Sequence, residues 1–495
     1  MKKTLLFISL ILILALIFGI LTACGEKKPN NPEGESGGTT EKADEIISGG
    51  EEESNIPAEK FKDDLPETDM EGYVFRMYSR STENMIGYIN VEEIMGEVLN
   101  DAMYERNRRI EERFNMLFEE VVADNTDKAR TAVKAGDDSY DMITTRCIAA
   151  YSYAQEGLLI SVNNLKNIDL GKPYWDENLN KVLTVANNRY FAIGASNLTT
   201  YDFTDCLLFN KKAFTDLGLE YPYPLVDQGK WTFDKFNELA RNGVKDINGD
   251  GVFDKDDSYG YIAPAKTVCA SFWIGAGNLA VKKDESDIPY FSIPEDERFI
   301  STIQKIFEIT YDNNVWYKSS SDANVDMTDM KIFENDRALF AYSTFFWVKA
   351  LRDMETDFGI LPYPKLNEEQ DRFYCRVSFT DLFTVPVTNK NPDYTSIIIE
   401  ALACESAKSV IPAYYEITLK TKITRDVDSE RMLDIIFNNR VIDLGDTIYN
   451  DQIRDGVFAG MYKKGDRDIV SKLEKMQTTI DKAINKTVEA FEALS

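Results

Sequence analysis

Histidine is absent from all 495 residues. No Ser-His-Asp or Cys-His catalytic arrangement and no imidazole-bound zinc can therefore be built from this chain. An excess of positive charge is absent as well, because 56 lysines and arginines stand against 84 acids, a formal charge of -28. A duplex binder must neutralise phosphates with a clustered basic surface, so nucleic acid is excluded as a partner and anionic headgroups are disfavoured. Nucleotide signatures are missing: "LGKP" at 170–173 lacks the hydroxyl and upstream glycine of a P-loop, and "GAGN" at 275–278 is too short for a dinucleotide fingerprint. Cysteine is sparse. After Cys24 there remain Cys147, Cys206, Cys269, Cys375 and Cys404, widely spaced, odd in number and without a C-x-x-C pair. They read as scattered buried thiols with at most one disulfide among them. No repeat of solenoid period is present.

What is there begins with an export signal. Lys2 and Lys3 precede the apolar run "TLLFISLILILALIFGIL", and "LTACG" then sets small residues ahead of Cys24. The run is long enough to span a bilayer as an uncleaved anchor. "LTAC" followed by glycine, however, resembles the lipobox of bacterial lipoproteins, in which the cysteine is acylated and becomes the first residue. The expectation is a signal peptide over 1–23, lipidation at Cys24 and a body held at the extracellular face of the membrane. Residues 24–65 are rich in Gly, Glu, Ser, Lys and Pro and nearly free of aromatics. Such a segment cannot bury enough apolar surface to offset its ordering entropy and reads as a tether.

The body is long enough for two lobes, since single cores stop growing at roughly 250–300 residues. "YVFRMYS" from Tyr73 reads as a strand. A helical pattern follows, with Leu99, Met103, Ile110, Phe114 and Leu117 on one face, and then the strand "YDMITT" at 140–145. Strand, helix, strand at this separation points to an α/β fold with ligand-facing loops at the carboxyl ends of the strands. Tyr78, Ser79 and Arg80 lie at one such end, and Thr144, Thr145 and Arg146 at another. Further strands are legible at 206–210, 338–343, 358–364 and 382–388. A last helix over 468–494 puts Val470, Leu473, Met476, Ile480, Ile484, Val488 and Phe491 on one face, the spacing of ordinary core packing.

"DINGDGVFDKDD" at 246–257 has the spacing of a calcium loop. Asp246, Asn248, Asp250, Asp254 and Asp257 stand at positions one, three, five, nine and twelve, and Gly251 at the sixth. Thr232 caps an entering helix that Gly243 ends, but "SYGYIAPAK" beyond the loop reads as extended chain. Without an exiting helix there is nothing to splay apart, so a calcium sensor lacks its mechanism. The loop then either holds a structural calcium through those side chains and the Val252 carbonyl, or is an acidic turn shaped by Asn-Gly and Asp-Gly.

Aromatics make up 12 % of the chain and cluster with polar neighbours in "YDFTD" (201–205), "SFW" (271–273), "NNVWY" (313–317) and "YSTFFW" (342–347). Sugars present CH faces that stack on rings and hydroxyls that need polar partners, so this is the chemistry of a carbohydrate cleft. Core packing competes as the explanation of each single ring.

These features in this order resemble a family. "TDCLLFNKKAFTDLGLEYP" with "KWTFDKFNELA", and later "RALFAYSTFFW" with "DFGILPYPK", are similar to segments of the extracellular solute-binding proteins, family 1, which deliver carbohydrates to ABC importers. "NDAMYERNRRIEERFN" and the stretch from "IPAYYEITLK" to "NNRVIDLG" are similar to a subgroup in Gram-positive, Clostridia-like bacteria. The resemblance implies a two-lobed, type II periplasmic-binding-protein-like α/β fold closing on a ligand by hinge motion. It implies one lobe from 66–205 with 376–423, a second from 206–375 with 424–495, and crossings near 199–205, 378–387 and 421–425. Partners would be a sugar and the permease subunits of an importer. Motif-matched positions give Tyr78, Ser79, Thr145, Arg146, Ser343, Phe346 and Trp347 as ligand contacts, with Trp273 and Asn278 from "SFWIGAGN". "FFW" stands where the family often has a glycine near the tryptophan, which leaves Phe345, Phe346 and Trp347 all eligible for the cleft. Asp-rich loops ahead of Tyr-Gly also occur in this family, as structural features of the second lobe. Calcium at Asp246, Asn248, Asp250, Val252, Asp254 and Asp257 is accordingly expected as a staple.

Two readings from other classes compete. A secreted glycoside-active enzyme needs only two carboxylates at the right separation, and 84 acids supply candidate pairs everywhere. A docking module of the dockerin kind carries two metal loops, whereas this chain shows one.

Overall fold

The computed structural model describes residues 61–82, 85–318, 327–349, 351, 354–420 and 427–494. The signal segment 1–23, Cys24, almost all of the tether 24–65 and the third crossing expected near 421–425 lie outside the described residues. The described residues belong to one compact unit.

Two four-stranded sheets organise that unit. The first comprises β1 (Tyr73–Arg80), β2 (Met116–Ala123), β3 (Met142–Arg146) and, far along the chain, β11 (Asp381–Thr384), in the order β11-β3-β1-β2. β1 runs parallel to β2 and β3, and β11 runs antiparallel to β3. The second comprises β4 (Asp205–Asn210), β5 (Tyr259–Ile262), β8 (Ala338–Thr344) and β9 (Phe358–Leu361), in the order β5-β8-β4-β9. Every residue of these four strands is buried, as continuous apolar runs such as "CLLF" require when helices cover both faces of a sheet. Two small ladders complete the strands: a hairpin of β6 (Val281–Lys283) and β7 (Pro289–Phe291), and β10 (Cys375–Arg376) beside β12 (Arg440–Val441).

The chain passes between the sheets at 199–205 and returns at 375–381. These passages lie side by side: Thr204 bridges Val377, and the Ser378 N–H donates to the Phe203 carbonyl at 2.9 Å. The helix Pro392–Glu405 then packs with Phe75, Ile110 and Phe383 of the first lobe, and Val427–Asn438 packs against β9.

Local expectations hold with two corrections. The helix Val98–Phe114 buries Leu99, Met103, Ile110 and Phe114 but stops before Leu117. Asn115, at φ 49°, ends it in the left-handed conformation, with its N–H bonded to the Glu111 carbonyl. Leu117 therefore belongs to the edge strand β2 and is 54 % exposed. The helix Ile469–Ala493 buries Leu473, Ile480, Ile484 and Phe491, while Val470 faces solvent. Its last turns do not stay on the second lobe's side of the expected division. Phe491 packs on Tyr151, Tyr190 and Phe191, with ring centroids 5.7, 5.1 and 6.3 Å away, and Thr487 accepts a hydrogen bond from Gln155. All five described cysteines are buried and free. Among the described residues no helix is long and apolar enough to cross a membrane.

Candidate functional site

The C-terminal ends of β1 and β3 and the start of β11 meet the two crossing segments and the C-terminal end of β8 at one place. Antiparallel pairing brings Asp381 level with Arg146, and Asp205 level with Thr344. Four aromatic rings run through this junction. Phe379 meets Phe203 edge-on at 4.7 Å, Phe203 stacks on Phe346 at 5.2 Å and 17°, and Trp347 meets Phe346 edge-on at 5.0 Å. The first two rings belong to the crossings and the last two to the helix Phe345–Val348, which follows β8 directly. Trp347 is 41 % exposed; Phe345 turns inward onto Phe437 at 4.6 Å. A surface that couples both lobes to their hinge is therefore aromatic.

Charge flanks the rings on the first-lobe side. Arg80 and Arg146 place their guanidinium carbons 5.2 and 4.8 Å from the centre of Phe379, within cation-π range. Asp381 lies 3.5 Å from Arg80, is 1 % exposed, and has no hydrogen-bond partner for either carboxylate oxygen among the described residues. Burial pushes its pKa up to about 7, against the pull of Arg80 and Arg146. Beneath the junction, Arg376 donates to Asp205 at 2.9 Å and to Asp446 at 2.6 and 2.9 Å, all three fully buried. Burial alone would lower the Arg376 pKa, but Asp205 and Asp446 together hold it well above its ordinary value. Ser271 and Tyr342 also donate to Asp205, so this network is satisfied and locks the second crossing to the second lobe.

Of the nine expected ligand residues, Arg146, Phe346 and Trp347 stand in this junction. Tyr78, Ser79, Thr145 and Ser343 come from the same strand ends but are buried beneath it: Tyr78 packs edge-on to Tyr140, and Thr145 shares a 2.7 Å hydrogen bond with Thr126. Trp273 and Asn278 are core residues of the second lobe. The Trp273 indole N–H donates to Asp443 at 3.0 Å between Phe299 and Phe458, and Asn278 is held by Thr302 and Arg298. An indole with its polar atom satisfied inside a core has nothing to offer a ligand. Phe379 and Asp381 were not singled out by the sequence reading, although both lie in the expected crossing 378–387; Phe203 stood in "YDFTD".

The Asp-rich loop lies apart, between the helix Phe233–Ala240 and β5. Thr232 caps that helix as expected, its hydroxyl accepting from the Lys235 N–H, and β5 confirms the extended exit. Gly249 and Gly251 take φ of 74° and 78°, which only glycine adopts without strain. Asp246 accepts from the N–H groups of both, Asp250 from Val252, and buried Asp257 from Ile247 and Asp254. Backbone N–H groups thus hold these three carboxylates, each of which keeps lone pairs beyond those it shares with the chain. Among the described residues the one set of three acidic or thiol groups converging within 4.8 Å is Asp63, Cys404 and Glu405. Asp63 there is held bidentately by Arg113, and Glu405 by Arg109 and Lys408, an ion-pair network rather than a metal centre.

No protein-family model matches the chain, and no curated protein does. Solved structures do. The ABC substrate-binding protein Lmo0181 of Listeria monocytogenes, in complex with cycloalternan, is 12 % identical with a TM-score of 0.51 over 84 % of this chain and 99 % of its own. UspC of M. tuberculosis is 13 % identical with a TM-score of 0.56 over 83 % and 100 %. An ABC transporter solute-binding protein of Thermotoga lettingae, bound with alpha-D-tagatose, is 16 % identical with a TM-score of 0.50, also over 83 % and 100 %. At such identities the likeness is one of fold: this chain has the two-lobed α/β fold of ABC solute-binding proteins.

Proposed function

We propose that the protein captures a carbohydrate between its lobes and hands it to the permease of an ABC importer, as a family 1 solute-binding protein tethered by a lipid on Cys24 at the outer face of the membrane. The observation that carries this reading is the run of rings from Phe379 through Phe203 and Phe346 to exposed Trp347, which joins both lobes across the crossings. A ligand stacked there touches both lobes at once, the condition for driving closure. The likeness of fold to proteins solved with cycloalternan and alpha-D-tagatose supports the same reading.

Among the described residues the carboxylates near Asp381 are engaged, Asp205 and Asp446 by Arg376 and Asp202 by Lys349 and Tyr414, which does not favour the glycosidase alternative. A thermal-shift panel of oligosaccharides, run with chromatography of the same mixtures, tests the proposal. At least one sugar should raise the melting temperature, because a ligand bound only by the native state stabilises it by mass action, and no sugar should be cleaved. Stabilisation by non-sugar solutes alone, or appearance of product, would sink it. We propose in addition that calcium occupies the loop through Asp246, Asn248, Asp250, Asp254, Asp257 and the Val252 carbonyl, as a staple on the second lobe.

A further inference from the structure

Charge at the lobe junction runs against that of the whole chain. Arg146 is exposed, its guanidinium poised over Phe379, and it makes no hydrogen bond or ion pair among the described residues. Arg80, 15 % exposed, reaches the Met85 sulfur at 3.6 Å and Asp381 at 3.5 Å, which leaves most of its five donors unused. From the second lobe, Lys266 stands in the first turn of the helix Ala265–Gly275, whose start carries no side-chain cap. A lysine there opposes the helix dipole, and burial together with Arg454, Arg376 and Arg146 lowers its pKa. Arg376 and Arg454 are answered by Asp205, Asp446 and Asp455, but Arg146 has no such partner. Asp381 is the one acidic side chain set against Arg80 here among the described residues, and burial raises its pKa, so it offsets only part of the charge of the two arginines.

Two guanidinium groups over one ring, answered by a single carboxylate, leave positive charge that an entering anion offsets. A guanidinium fork matches a planar carboxylate bidentately. We infer that the sugar taken by this cleft is acidic: a saccharide bearing a carboxylate gripped by Arg80 and Arg146, beside the aromatic run that leads from Phe379 to Trp347. This rests on the carbohydrate-binding reading above and narrows it to a class of ligand.

The test is calorimetric titration of the lipid-free body, residues 25–495, with trisaccharides of galacturonate, mannuronate and glucuronate, each beside its neutral counterpart. At least one uronate should bind tenfold or more tightly than its counterpart, and that preference should shrink as salt rises from 50 to 500 mM, as screening requires. Arg146→Gln and Arg80→Gln should each remove most of the preference. Circular dichroism should show the Arg146→Gln protein folded as before, because the side chain is exposed. Neutral trisaccharides binding as tightly as the uronates would overturn the inference and leave the carbohydrate reading standing. If neither set binds, the carbohydrate reading fails and takes the inference with it.

Discussion

Asp381 presents two carboxylate oxygens to an interior in which neither finds a donor among the described residues. Its folded-state pKa, about 7, lies above the ordinary 3.8, so folding favours the protonated form. That contribution is complete below pH 4 and is lost as pH rises through 7. Asp381→Asn, which cannot ionise, should therefore gain on the wild type by on the order of 4 kcal/mol across that window. Urea denaturation at a series of pH values reads the difference, and a gap constant with pH would contradict the assignment. The two tryptophans once paired as ligand candidates should separate cleanly. Trp347→Ala should weaken sugar binding about tenfold, or ~1.4 kcal/mol, with little change in melting temperature. Trp273→Ala should cost about 3–5 kcal/mol of stability, because it opens a cavity and removes a hydrogen bond from buried Asp443. Residue type could not separate them. Both lie in aromatic, polar-flanked stretches, and only the packing of Phe299 and Phe458 around Trp273 assigns it to the core.

At the scale of elements, spacing was informative wherever a period ran unbroken. The strands at 206–210 and 338–343 emerge within one residue of their expected bounds, since two-sided burial demands an uninterrupted apolar run. Leu117 failed because its place after Phe114 continues the helical period, while Asn115 ends the helix by a backbone conformation that periodicity does not encode. The Asp-rich loop was legible as a metal-type loop or an acidic turn, and its glycines stand where left-handed backbone is needed. The proposed calcium is open to measurement. Removal of calcium by chelator should lower the melting temperature, the loss corresponding to about 2.7 kcal/mol if the ion had stood at a hundred times its Kd. Asp257→Asn should abolish the dependence. A melting curve indifferent to chelator and to added calcium would leave the loop as a turn held by its own N–H groups.

For the whole molecule, two sheets joined by adjacent crossings put the proposed binding site at their junction. Arg376, at the end of β10, is salt-bridged to Asp205 at the start of β4 and to Asp446. Arg376→Leu should leave buried Asp205 without a cation and Asp446 with Arg454 alone, and cost about 3–5 kcal/mol, with ligand affinity falling as the crossing loosens. Denaturant unfolding together with titration of the bound sugar separates the two effects. A stability loss below 1 kcal/mol would show that the network does not anchor the crossing. The C-terminal helix adds a restraint that no local pattern announced: its stripe of apolar residues is ordinary, but Phe491 seats among first-lobe rings more than 290 positions earlier in the chain.

By itself the sequence determined the main buried strands and the two long amphipathic helices, though not the edge strand β2 or the short ladders, because burial imposes periods of 2.0 and 3.6 on apolar residues. It also excluded histidine chemistry, argued against nucleic acid through net charge, and gave the Asp-rich loop the spacing of a calcium site. What only the tertiary structure decided was which polar and aromatic side chains meet. Arg80, Arg146, Phe203, Phe346, Phe379 and Asp381 come from five separate stretches of chain, and sheet register and two side-by-side crossings bring them together. Proximity of that kind is set by non-local strand pairing, which leaves no mark in the local order of residues.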